Sequence, residues 1–401
     1  MNKKALVVAG GQWQKPLITF LQQKSYYVVV VDPFTDSQGV VIADEHIKLD
    51  VRDREAIFEA IRDKHFDIIT TDQSDISVET VAFLAKAMGV KGNSEESILR
   101  FSNKYKSRQY AENLRISIPK YCEVDTVSAI EKFITRIGLP LILKPCDSQS
   151  SKGIHLIDRN TTKKDLKKYL RDALQYSFSK KCVLEQFVSG YEITVEGFCV
   201  AGKHKTLAIS KKKHFKTGIA SSLTYPAKIP KLLEERIIQT NDKFVDNSGI
   251  DFAPTHAEYI VDEENDQFYL IEIACRGGGT LISSDIIKWV SGFDVYQSLL
   301  RCLEGKMVSI NECNKLQRSA ILYFFDFGQG IIKCIKGLEE AKRIEGVLVL
   351  DFDYKIGDTL KSCQDDRSRQ GFVIVFADND NELQRRLQRI LSVFQVILYD
   401  E

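Results

Sequence analysis

Two glutamates lie in a segment whose residue pattern predicts a β-hairpin. In THAEYIVDEENDQFYLIEIACRGGG, two strands of alternating apolar residues flank the polar turn DEENDQ. A turn centred near Asn265 places Glu258 opposite Glu272 and His256 opposite Ala274, with all four side chains on one face. Opposed carboxylates destabilise a bare sheet, and a divalent cation between them removes that conflict. Their oxygens suit Mg²⁺, which takes one or two carboxylates plus substrate phosphates. A slipped register that leaves the pair exposed is the alternative.

A second segment offers groups that bind phosphate. The apolar strand LPLILKP carries Lys144 near its end, where Pro145 favours an extended backbone. A loop follows before a strand that starts at Ile154, and it consists of Ser148, Gln149, Ser150, Ser151, Lys152 and Gly153. Hydroxyls and backbone N–H groups can cradle phosphate oxygens, and Lys152 adds charge. An ordinary serine-rich hairpin loop is the alternative.

Further charged residues follow on predicted strands. Glu192, Thr194 and Glu196 alternate with apolar residues and therefore share one face. The run ISKKKHFK comes next, and its basic residues are Lys211, Lys212, Lys213, His214 and Lys216. This run complements anionic phosphates if it faces the acidic strands, and is a solvated surface otherwise. Arg276 can hold an anion bidentately, and the three glycines after it allow close backbone approach.

The N-terminal third must supply a parallel sheet. Apolar strands such as YYVVVVD alternate there with amphipathic helices, a pattern typical of a sheet covered on both faces. Ligands of such sheets bind at the carboxyl ends of the strands. The residues at those ends are Gly10, Gly11, Gln12, Asp32 and Asp72. GGQWQ is not a GxGxxG motif, so a dinucleotide site is a weak interpretation and a tight strand-to-helix turn is the alternative.

The composition is that of a globular protein with two or three domains. The 401 residues are 44% hydrophobic and 28% charged, which is ample for buried cores. Fifty-six Lys and Arg stand against 55 Asp and Glu, so the net charge of +1 argues against a long nucleic-acid footprint. The nine cysteines are scattered without a CxxC pair, which favours free thiols in a reducing cytosol. No apolar run approaches the roughly 20 residues of a membrane helix, and the start does not resemble a signal peptide.

The last part, residues 311–401, alternates again. AILYFFDFGQGIIKCIKG predicts a hairpin, LEEAKRI a short helix, and GVLVLDFDY and FVIVFADN two strands. NELQRRLQRILSVFQVIL predicts an amphipathic terminal helix. We expect the tyrosines and phenylalanines of this part to form its core rather than to contact a ligand.

The order of these motifs resembles the ATP-grasp superfamily. Lys104, LILKP, a Ser/Gly loop, EQFVSGYE and HAEY…IEIACRGGG follow one another over residues 104–310. The resemblance is greatest to the branch of L-amino acid ligases, carbamoyl-phosphate-synthase-like proteins and purine-biosynthesis ligases. It implies an α/β and α+β fold with three units. These are a Rossmann-like domain at 1–103, an ATP-grasp domain at 104–310 with a mobile lid subdomain at about 119–187, and a small α+β domain at 311–401.

The resemblance also implies roles for individual residues. It assigns binding of the ATP phosphates to Lys104, to Lys144 and to the flexible loop of Ser150, Ser151, Lys152 and Gly153. It assigns binding of the adenine edge to the hinge formed by Glu185, Gln186, Phe187 and Val188. It assigns binding of the ribose to Glu192. Glu258 and Glu272 match the magnesium ligands. Arg276 matches the arginine near the transferred phosphoryl group, with Lys152 and Lys211 as further catalytic cations. The resemblance assigns substrate binding to Gly11, Gln12, Arg276, Gly277 and Gly278.

One position departs from the family pattern. In many members an asparagine two residues after the second glutamate is a third metal ligand, and Ala274 occupies that position here. Three alternatives follow for the metal site: another residue replaces the missing ligand, a single Mg²⁺ is tightly held, or the chemistry differs from that of the family. Cys275, beside Arg276, is expected to pack in the core.

The resulting expectation is an ATP-dependent carboxylate–amine ligase with ATP and Mg²⁺, or Mn²⁺ in its place. Positioning and charge neutralisation would carry the catalysis, without a covalent nucleophile. The alternatives are a purine-type ribonucleotide ligase or carboxylase, and a non-catalytic nucleotide-binding protein. The expected partners are a small-molecule carboxylate and an amine, with no nucleic acid and no membrane. The expected location is the cytoplasm, and the resemblance favours a homodimer.

Overall fold

The computed structural model describes residues 3–148, 152–216, 219–310, 316, 318–363 and 368–399. Within these ranges the chain forms four β-sheets with helices packed against them. None of the helices in the described ranges has the length and apolar character needed to cross a bilayer.

The N-terminal unit is a parallel sheet with helices on both faces. Its elements are β1 (Lys3–Val8), α1 (Lys15–Gln23), β2 (Tyr26–Val31), α2 (Gln38–Ile42), β3 (Glu45–Ile47), α3 (Arg54–Ile61), β4 (Ile68–Thr70) and α4 (Asp75–Ala87). The strands lie in the order β3-β2-β1-β4, all parallel. Val7 packs in one core with Leu17 of α1, and Val8 packs in another with Ile57 of α3. The predicted covered sheet is confirmed, because successive side chains of β1 are buried on opposite faces.

A small antiparallel sheet follows, which we call the lid sheet. The elements of this part are α5 (Glu95–Ser102), α6 (Lys104–Asn113), β5 (Tyr121–Val124), α7 (Val127–Ile137), β6 (Leu141–Pro145), β7 (His155–Ile157), α8 (Lys163–Tyr176) and β8 (Cys182–Gln186). The lid sheet has the order β5-β8-β6-β7. Leu141 and Leu143 of β6 pack with α7 and α8. The alternate residues Ile142 and Lys144 therefore face away from those helices and line a cleft.

The central part consists of long antiparallel strands. Its elements are β9 (Tyr191–Val200), β10 (Lys203–Lys216), β11 (Ile219–Tyr225), α9 (Lys231–Asp246), β12 (Ala253–Asp262), β13 (Gln267–Ala274), a π-helical turn (Ile282–Ile286), α10 (Ile287–Ser291) and α11 (Val295–Leu303). The predicted hairpin of β12 and β13 is confirmed, with a turn between Asp262 and Gln267.

The C-terminal part adds strands to the same sheet. Its elements are β14 (Ser319–Phe324), β15 (Gly330–Lys336), α12 (Leu338–Lys342), β16 (Val347–Asp351), β17 (Thr359–Leu360), β18 (Phe372–Ala377), α13 (Asp380–Val393) and β19 (Gln395–Leu398). The large sheet has the order β13-β12-β9-β10-β11-β14-β18-β16. Strands on both sides of the predicted boundary at 310–311 therefore share one sheet, and the three domain ranges stay predictions.

Two predicted elements of the C-terminal part were wrong. β14 and β15 do not form a hairpin, because the buried β14 lies between β11 and β18 while β15 pairs with β17 and β19. The terminal helix ends at Val393, because the backbone is extended at Phe394 and continues into β19.

Candidate active site

A cleft of about 1360 Å³ lies where the parts of the chain meet. The N-terminal unit contributes Gln12 and Gln73 to its wall, and the lid sheet contributes Lys144. The large sheet contributes Glu258 and, from its C-terminal strands, Phe372. The cleft therefore collects residues that are far apart in the sequence.

The acidic side chains of the large sheet meet in this cleft. Glu258 pairs directly with Glu272, and His256 pairs with Ala274, as the hairpin pattern predicts. On the other side of β12, Thr194 lies opposite Glu258 and Glu196 lies opposite His256. The slipped register is thereby ruled out, and the two glutamates lie side by side at the cleft wall.

Lysines neutralise both glutamates. Lys212 Nζ lies 2.8 Å from Glu258 Oε1 and also contacts the carboxylate of Glu192. Lys104 Nζ lies 2.8 Å from Glu272 Oε1. Burial alone would lower the pKa of Lys212, but Glu192 and Glu258 raise it above its ordinary value. Each glutamate thus has a lysine counter-ion, whose charge is carried on a flexible four-carbon stem.

His256 adds a positive charge beside these residues. Its Nδ1 lies 2.6 Å from Glu196 Oε1, and its Nε2 lies 3.6 Å from Glu258 Oε1. Burial alone would lower the pKa of His256, but the adjacent Glu196 raises it to about 9. Burial alone would raise the pKa of Glu258, but Lys212 and His256 hold it well below its ordinary value. Glu258 therefore stays ionised, as a cation ligand must.

Strand alternation separates Lys212 from the predicted catalytic Lys211. Lys212 shares a face with Glu192, its neighbour across the strands, and lines the cleft. The ammonium of Lys211 lies 3.9 Å from the centre of the Tyr191 ring instead. The structure does not bring Lys211 to the two glutamates, and Lys212 takes that place. A β-bulge between Thr206 and Ala208 shifts the register by one residue and places Lys212 rather than Lys211 opposite Glu192, which the alternation along the sequence could not predict.

A buried ion triad holds Lys144. Glu185 accepts from Arg108 Nε at 2.6 Å and from Lys144 Nζ at 2.8 Å. Arg108, with 1% of its side chain exposed, also donates to the carbonyl of Ile271 at 2.5 Å. Burial alone would raise the pKa of Glu185, but Arg108 and Lys144 lower it to about 2. Two cations share one carboxylate here, so the triad carries an excess positive charge where Lys144 meets the cleft.

Sequence reasoning missed Arg108. It lies four residues after Lys104 on α6, so both side chains lie on one face of that helix. That spacing was the available signal. Lys104 reaches Glu272 while Arg108 reaches the carbonyl of Ile271, and one helix therefore supports two neighbouring residues of β13.

The predicted hinge, Glu185 to Val188, lines the cleft at the C-terminal end of β8, an interior strand of the lid sheet. The backbone N–H of Gln186 donates to Lys120 O, and that of Phe187 donates to Pro140 O. Glu192 also lines the cleft, in contact with Lys212 and His214. The hinge is thus fixed in place by its own amides.

The predicted phosphate loop is described in part. Ser148 and Lys152 line the cleft, and Ser148 O accepts from Lys104 Nζ at 2.8 Å. Gly153 has a φ of +69°, and a side chain there would collide with the ring of Tyr176. Ser150 and Ser151 lie outside the described residues.

Arg276 is held by a carboxylate of the N-terminal unit. It donates to both oxygens of Asp75, at 2.9 and 2.8 Å, and lines the cleft. Burial alone would lower the pKa of Arg276, but Asp75 raises it further above its ordinary value. Asp75 was missed from the sequence, where nothing but its position after β4 pointed to it. The bidentate pairing predicted for Arg276 thus has an internal partner in this structure.

The loop after Arg276 is tied to the same unit. The N–H of Gly277 donates to the buried Asp72 at 2.9 Å, and Ser283 donates to its other oxygen at 2.6 Å. A side chain at Gly277 would collide with Ser283, and one at Gly278 would lie 3.0 Å from Glu196 Oε2. The two glycines therefore permit a close approach of this loop to Ser283 and Glu196, while their predicted contact with the substrate stays a prediction.

Among the remaining predicted residues, Gln12 lines the cleft, and its amide donates to Asp351 Oδ2 at 3.0 Å. Gly11 donates to the side chain of Gln14 and belongs to the turn before α1. Cys275 is buried in an apolar core, as expected.

The donor set suits a hard cation. Glu258 and Glu272 present adjacent carboxylates, and Mg²⁺ typically completes its shell with water and substrate phosphates. Within the described ranges there is no group of three or more His, Cys, Asp or Glu suited to a metal. Ala274 offers no donor atom at the third position. The residues fit a cation that takes two carboxylates from the chain and the rest of its shell from a nucleotide.

Two protein families match parts of the chain. The ATP-grasp domain family matches residues 137–285, and the family described as L-amino acid ligase C-terminal domain 2 matches residues 323–398. The first match contains three of the four strands of the lid sheet, β6, β7 and β8, and both glutamates. The second contains most of the C-terminal strands.

Individual relatives have low sequence identity to this chain but align with it over long segments. Formate-dependent phosphoribosylglycinamide formyltransferase of Prochlorococcus marinus subsp. pastoris is 28% identical over 198 residues, covering 48% of this chain and 50% of that protein. Alanine–anticapsin ligase of Bacillus subtilis is 25% identical over 310 residues, covering 72% of this chain and 65% of that protein. The chain thus spans about half the length of the first relative.

The crystal structure of L-amino acid ligase from Bacillus licheniformis aligns over 100% of this chain and 99% of its own, with a TM-score of 0.83 and 20% identity. This likeness confirms the predicted fold class.

Proposed function

We propose that the chain is an ATP-dependent ligase that joins a carboxylate to an amine, a proposal supported by its matches to the ATP-grasp domain family and to the L-amino acid ligase C-terminal domain 2 family. ATP and Mg²⁺ are its proposed cofactors. A small carboxylate and a small amine are its proposed substrates.

The observation that carries this proposal is the pairing of each glutamate with a lysine. Glu258 and Glu272 lie side by side, and Lys212 and Lys104 neutralise them. When a cation takes the carboxylates, both lysines become available to phosphate oxygens. The arrangement is therefore suited to exchanging internal ion pairs for a metal–nucleotide complex.

The proposed position of ATP follows from the charges along the cleft. Its phosphates would lie among the lysine side chains at positions 104, 144, 152 and 212, which all line the cleft. The triad with excess positive charge supports Lys144 in this role, because a buried charge excess favours an anionic ligand. The hinge at Glu185–Val188 would hold the adenine edge, and Glu192 the ribose.

Mg²⁺, held by Glu258 and Glu272, would neutralise charge that develops on the transferred phosphoryl group. Two cationic side chains of the protein would bind the substrates. Lys144 would bind the phosphates, and Arg276 would hold the carboxylate substrate beside them.

The proposed chemistry has two steps. First, a carboxylate oxygen of the substrate attacks the γ-phosphorus of ATP, the bond from that phosphorus to the bridging oxygen breaks, and ADP leaves. Second, the amine nitrogen attacks the carbonyl carbon of the acyl phosphate, and the carbon–oxygen bond to phosphate breaks. The amine loses a proton to solvent, and the products are an amide and phosphate. The protein supplies position and charge in both steps.

Relatives support this chemistry and a second candidate. Alanine–anticapsin ligase and L-amino acid ligase are ligases by name, and the family of the second matches residues 323–398. The second candidate is a purine-type enzyme that acts on a ribonucleotide. It is favoured by the 28% identity to phosphoribosylglycinamide formyltransferase, which covers only half of either protein.

Release of ADP by the full-length protein tests the proposal. We expect MgATP to be hydrolysed to ADP and phosphate only when a carboxylate and an amine are both supplied, with a pool of amino acids as the first mixture. Stimulation by phosphoribosylglycinamide with formate would favour the second candidate instead. ATP binding without stimulation by either mixture would contradict both and leave a nucleotide-binding protein.

Location and assembly are further proposals. We propose that the enzyme acts in the cytoplasm, which the eight free cysteines among the described residues support. A homodimer is the proposed assembly, to be checked by sedimentation equilibrium.

A further inference from the structure

A turn of the N-terminal unit holds the loop that carries Arg276. Asp72, in the turn between β4 and α4, accepts from the N–H of Gly277 at 2.9 Å and from Ser283 Oγ at 2.6 Å. Asp75, the first residue of α4, accepts from Arg276 through both of its oxygens. All four hydrogen bonds join residues at least 201 positions apart in the sequence. The orientation of the Arg276 side chain is therefore set by a part of the chain far from the hairpin that precedes it.

The helix that carries Asp75 is anchored on two sides. Leu84 of α4 packs in a core with strand β1, whereas Val78 and Ala82 pack in the core that contains β12 and β13. Asp75 lies in the first turn of this helix, where the helix dipole favours a negative charge. A carboxylate on such an anchored element has little freedom to move, and a group that it holds shares this restriction.

The contact with Asp75 uses one edge of the guanidinium of Arg276. Nε donates to Asp75 Oδ1 at 2.9 Å, and Nη2 donates to Oδ2 at 2.8 Å. Nη1 donates to the carbonyl of Gly277 at 3.1 Å. These contacts engage three of the five N–H groups of an arginine, and the other two, one on Nη1 and one on Nη2, meet no acceptor within the described ranges. In a planar guanidinium those two N–H groups point the same way and form a second fork that matches an oxyanion.

This second fork is available to a ligand of the cleft. Arg276 and Asp75 both line the cleft, and 15% of the Arg276 side chain is exposed. Because Asp75 occupies the Nε–Nη2 edge, an oxyanion in the cleft meets the Nη1–Nη2 edge. A guanidinium that is already held at one edge loses little further freedom when it binds at the other, and this preorganisation favours binding.

We infer that Asp75 is a positioning residue, which fixes Arg276 so that its Nη1–Nη2 fork receives an oxyanion of the reacting groups. The inference rests on the proposed function, in which Arg276 holds the carboxylate substrate beside the transferred phosphoryl group. Asp75 acts through Arg276 and touches neither reactant. The N-terminal unit thereby contributes to the chemistry by orienting a side chain of the central part.

The negative charge of Asp75 makes the sign of the expected effect diagnostic. A carboxylate at the cleft repels anions, so loss of its charge alone tightens the binding of an oxyanion. A carboxylate that merely competes with the ligand for Arg276 has the same effect when it is removed. Loss of a positioning contact acts in the opposite direction, because the guanidinium then becomes free to turn.

Binding of inorganic phosphate to the full-length protein saturated with MgADP is the first test. We expect Asp75→Asn, which keeps the shape of the side chain, to weaken phosphate binding at least about tenfold in isothermal titration calorimetry. The control is Asp50→Asn, because Asp50 also bonds Nε and Nη2 of an arginine, Arg52, but is half exposed and does not line the cleft. The control should change the affinity for phosphate by less than about twofold.

Two further measurements separate positioning from a general change of structure. The affinity of Asp75→Asn for MgADP alone should stay within about threefold of the unchanged protein, because Asp75 acts on the fork and not on the nucleotide. Arg276→Lys removes the fork, and it should weaken phosphate binding at least as much as Asp75→Asn does. Adding Asp75→Asn to Arg276→Lys should then weaken it no further. An equal loss of affinity for MgADP and phosphate, or a further loss in the double variant, would contradict positioning through Arg276.

The failure of this inference and the failure of the ligase proposal give different results. Unchanged or tighter phosphate binding in Asp75→Asn would overturn the inference and leave the ligase proposal intact, because Arg276 then binds without the help of Asp75. Absence of phosphate binding in the unchanged protein would also overturn it. Weaker phosphate binding in Asp75→Asn, together with no ADP release from either substrate mixture, would uphold the positioning of Arg276 and overturn the ligase proposal.

Discussion

The two ends of the cleft hold their side chains in different ways. At the lid-sheet end, Lys212 and Lys104 are fixed by ion pairs with Glu258 and Glu272. Where the cleft meets the C-terminal strands, Phe324 and Phe372 are fixed by apolar packing. Ion pairs can be exchanged for other ions, whereas packed rings cannot move without opening the core. The difference suggests that one end is organised to change partners during a reaction cycle and the other to hold one shape.

The largest effect should come from the buried triad, which underlies the charged end. Arg108→Met leaves Glu185 with Lys144 as its single cation and leaves the carbonyl of Ile271 without this donor. Breaking a buried ion network costs about 3–5 kcal/mol, and we expect a loss of this size in the free energy of unfolding. Denaturant titration measures it. Arg385→Met, at an exposed arginine of α13, is the control and should change stability by less than about 0.5 kcal/mol. Equal effects of the two changes would contradict the importance of the triad.

The next effect concerns chemistry at the charged end. Glu272→Gln keeps the shape of the side chain but removes the charge proposed to hold Mg²⁺. We expect kcat for ADP release to fall about 10²- to 10³-fold, as for the loss of one strong transition-state contact. Glu264→Gln, in the exposed turn of the same hairpin, is the control. Unchanged turnover in Glu272→Gln would show that the metal assignment is wrong.

A smaller effect should separate two adjacent lysines. Lys212→Met removes the counter-ion shared by Glu192 and Glu258, and we expect kcat/KM for ATP to fall about 10- to 100-fold. Lys211→Met removes only a cation over the ring of Tyr191 and should leave kcat/KM within about twofold. Steady-state kinetics of the two variants at saturating amine gives the comparison. The reverse order would restore the catalytic role that the sequence predicted for Lys211.

The smallest effect is the response to salt, which compares both ends in one protein. Ion pairs at the cleft wall weaken as the Debye length falls, whereas apolar contacts do not. Raising the ionic strength from about 0.05 to about 0.5 M should raise the KM for ATP several-fold and change the KM for the less highly charged amine substrate by a smaller factor. Equal responses of the two KM values would contradict the division of the cleft.

Local pattern was sufficient for much of the fold. Alternation of apolar residues predicted the parallel sheet, the β12–β13 hairpin and the pairing of Glu258 with Glu272. It failed for β14 and β15, because a strand pattern does not specify its partner. β14 pairs with strands that begin about 100 residues before it and about 50 residues after it. Pairing over such separations depends on burial of both faces, which no short window of sequence records.

The sequence predicted a similar share of the residues of the candidate site. Residue types and motif order pointed to the glutamates, to Lys104 and to Lys144. The internal partners Asp75 and Arg108 were not predicted, because their contacts join different parts of the chain. The expectation that the C-terminal aromatic residues form a core was correct for Phe324 and Phe372, yet both also line the cleft.

By itself, the sequence determined which side chains share a face, because the periods of strands and helices are fixed by backbone geometry. It thereby indicated that two carboxylates share one face of a hairpin, whereas the β-bulge between Glu258 and Tyr259 sets the register that brings them side by side. Only the tertiary structure decided which cation neutralises each carboxylate and which aromatic rings border the same cleft. Those choices depend on distances between elements, and these are set by how the sheets and helices pack together.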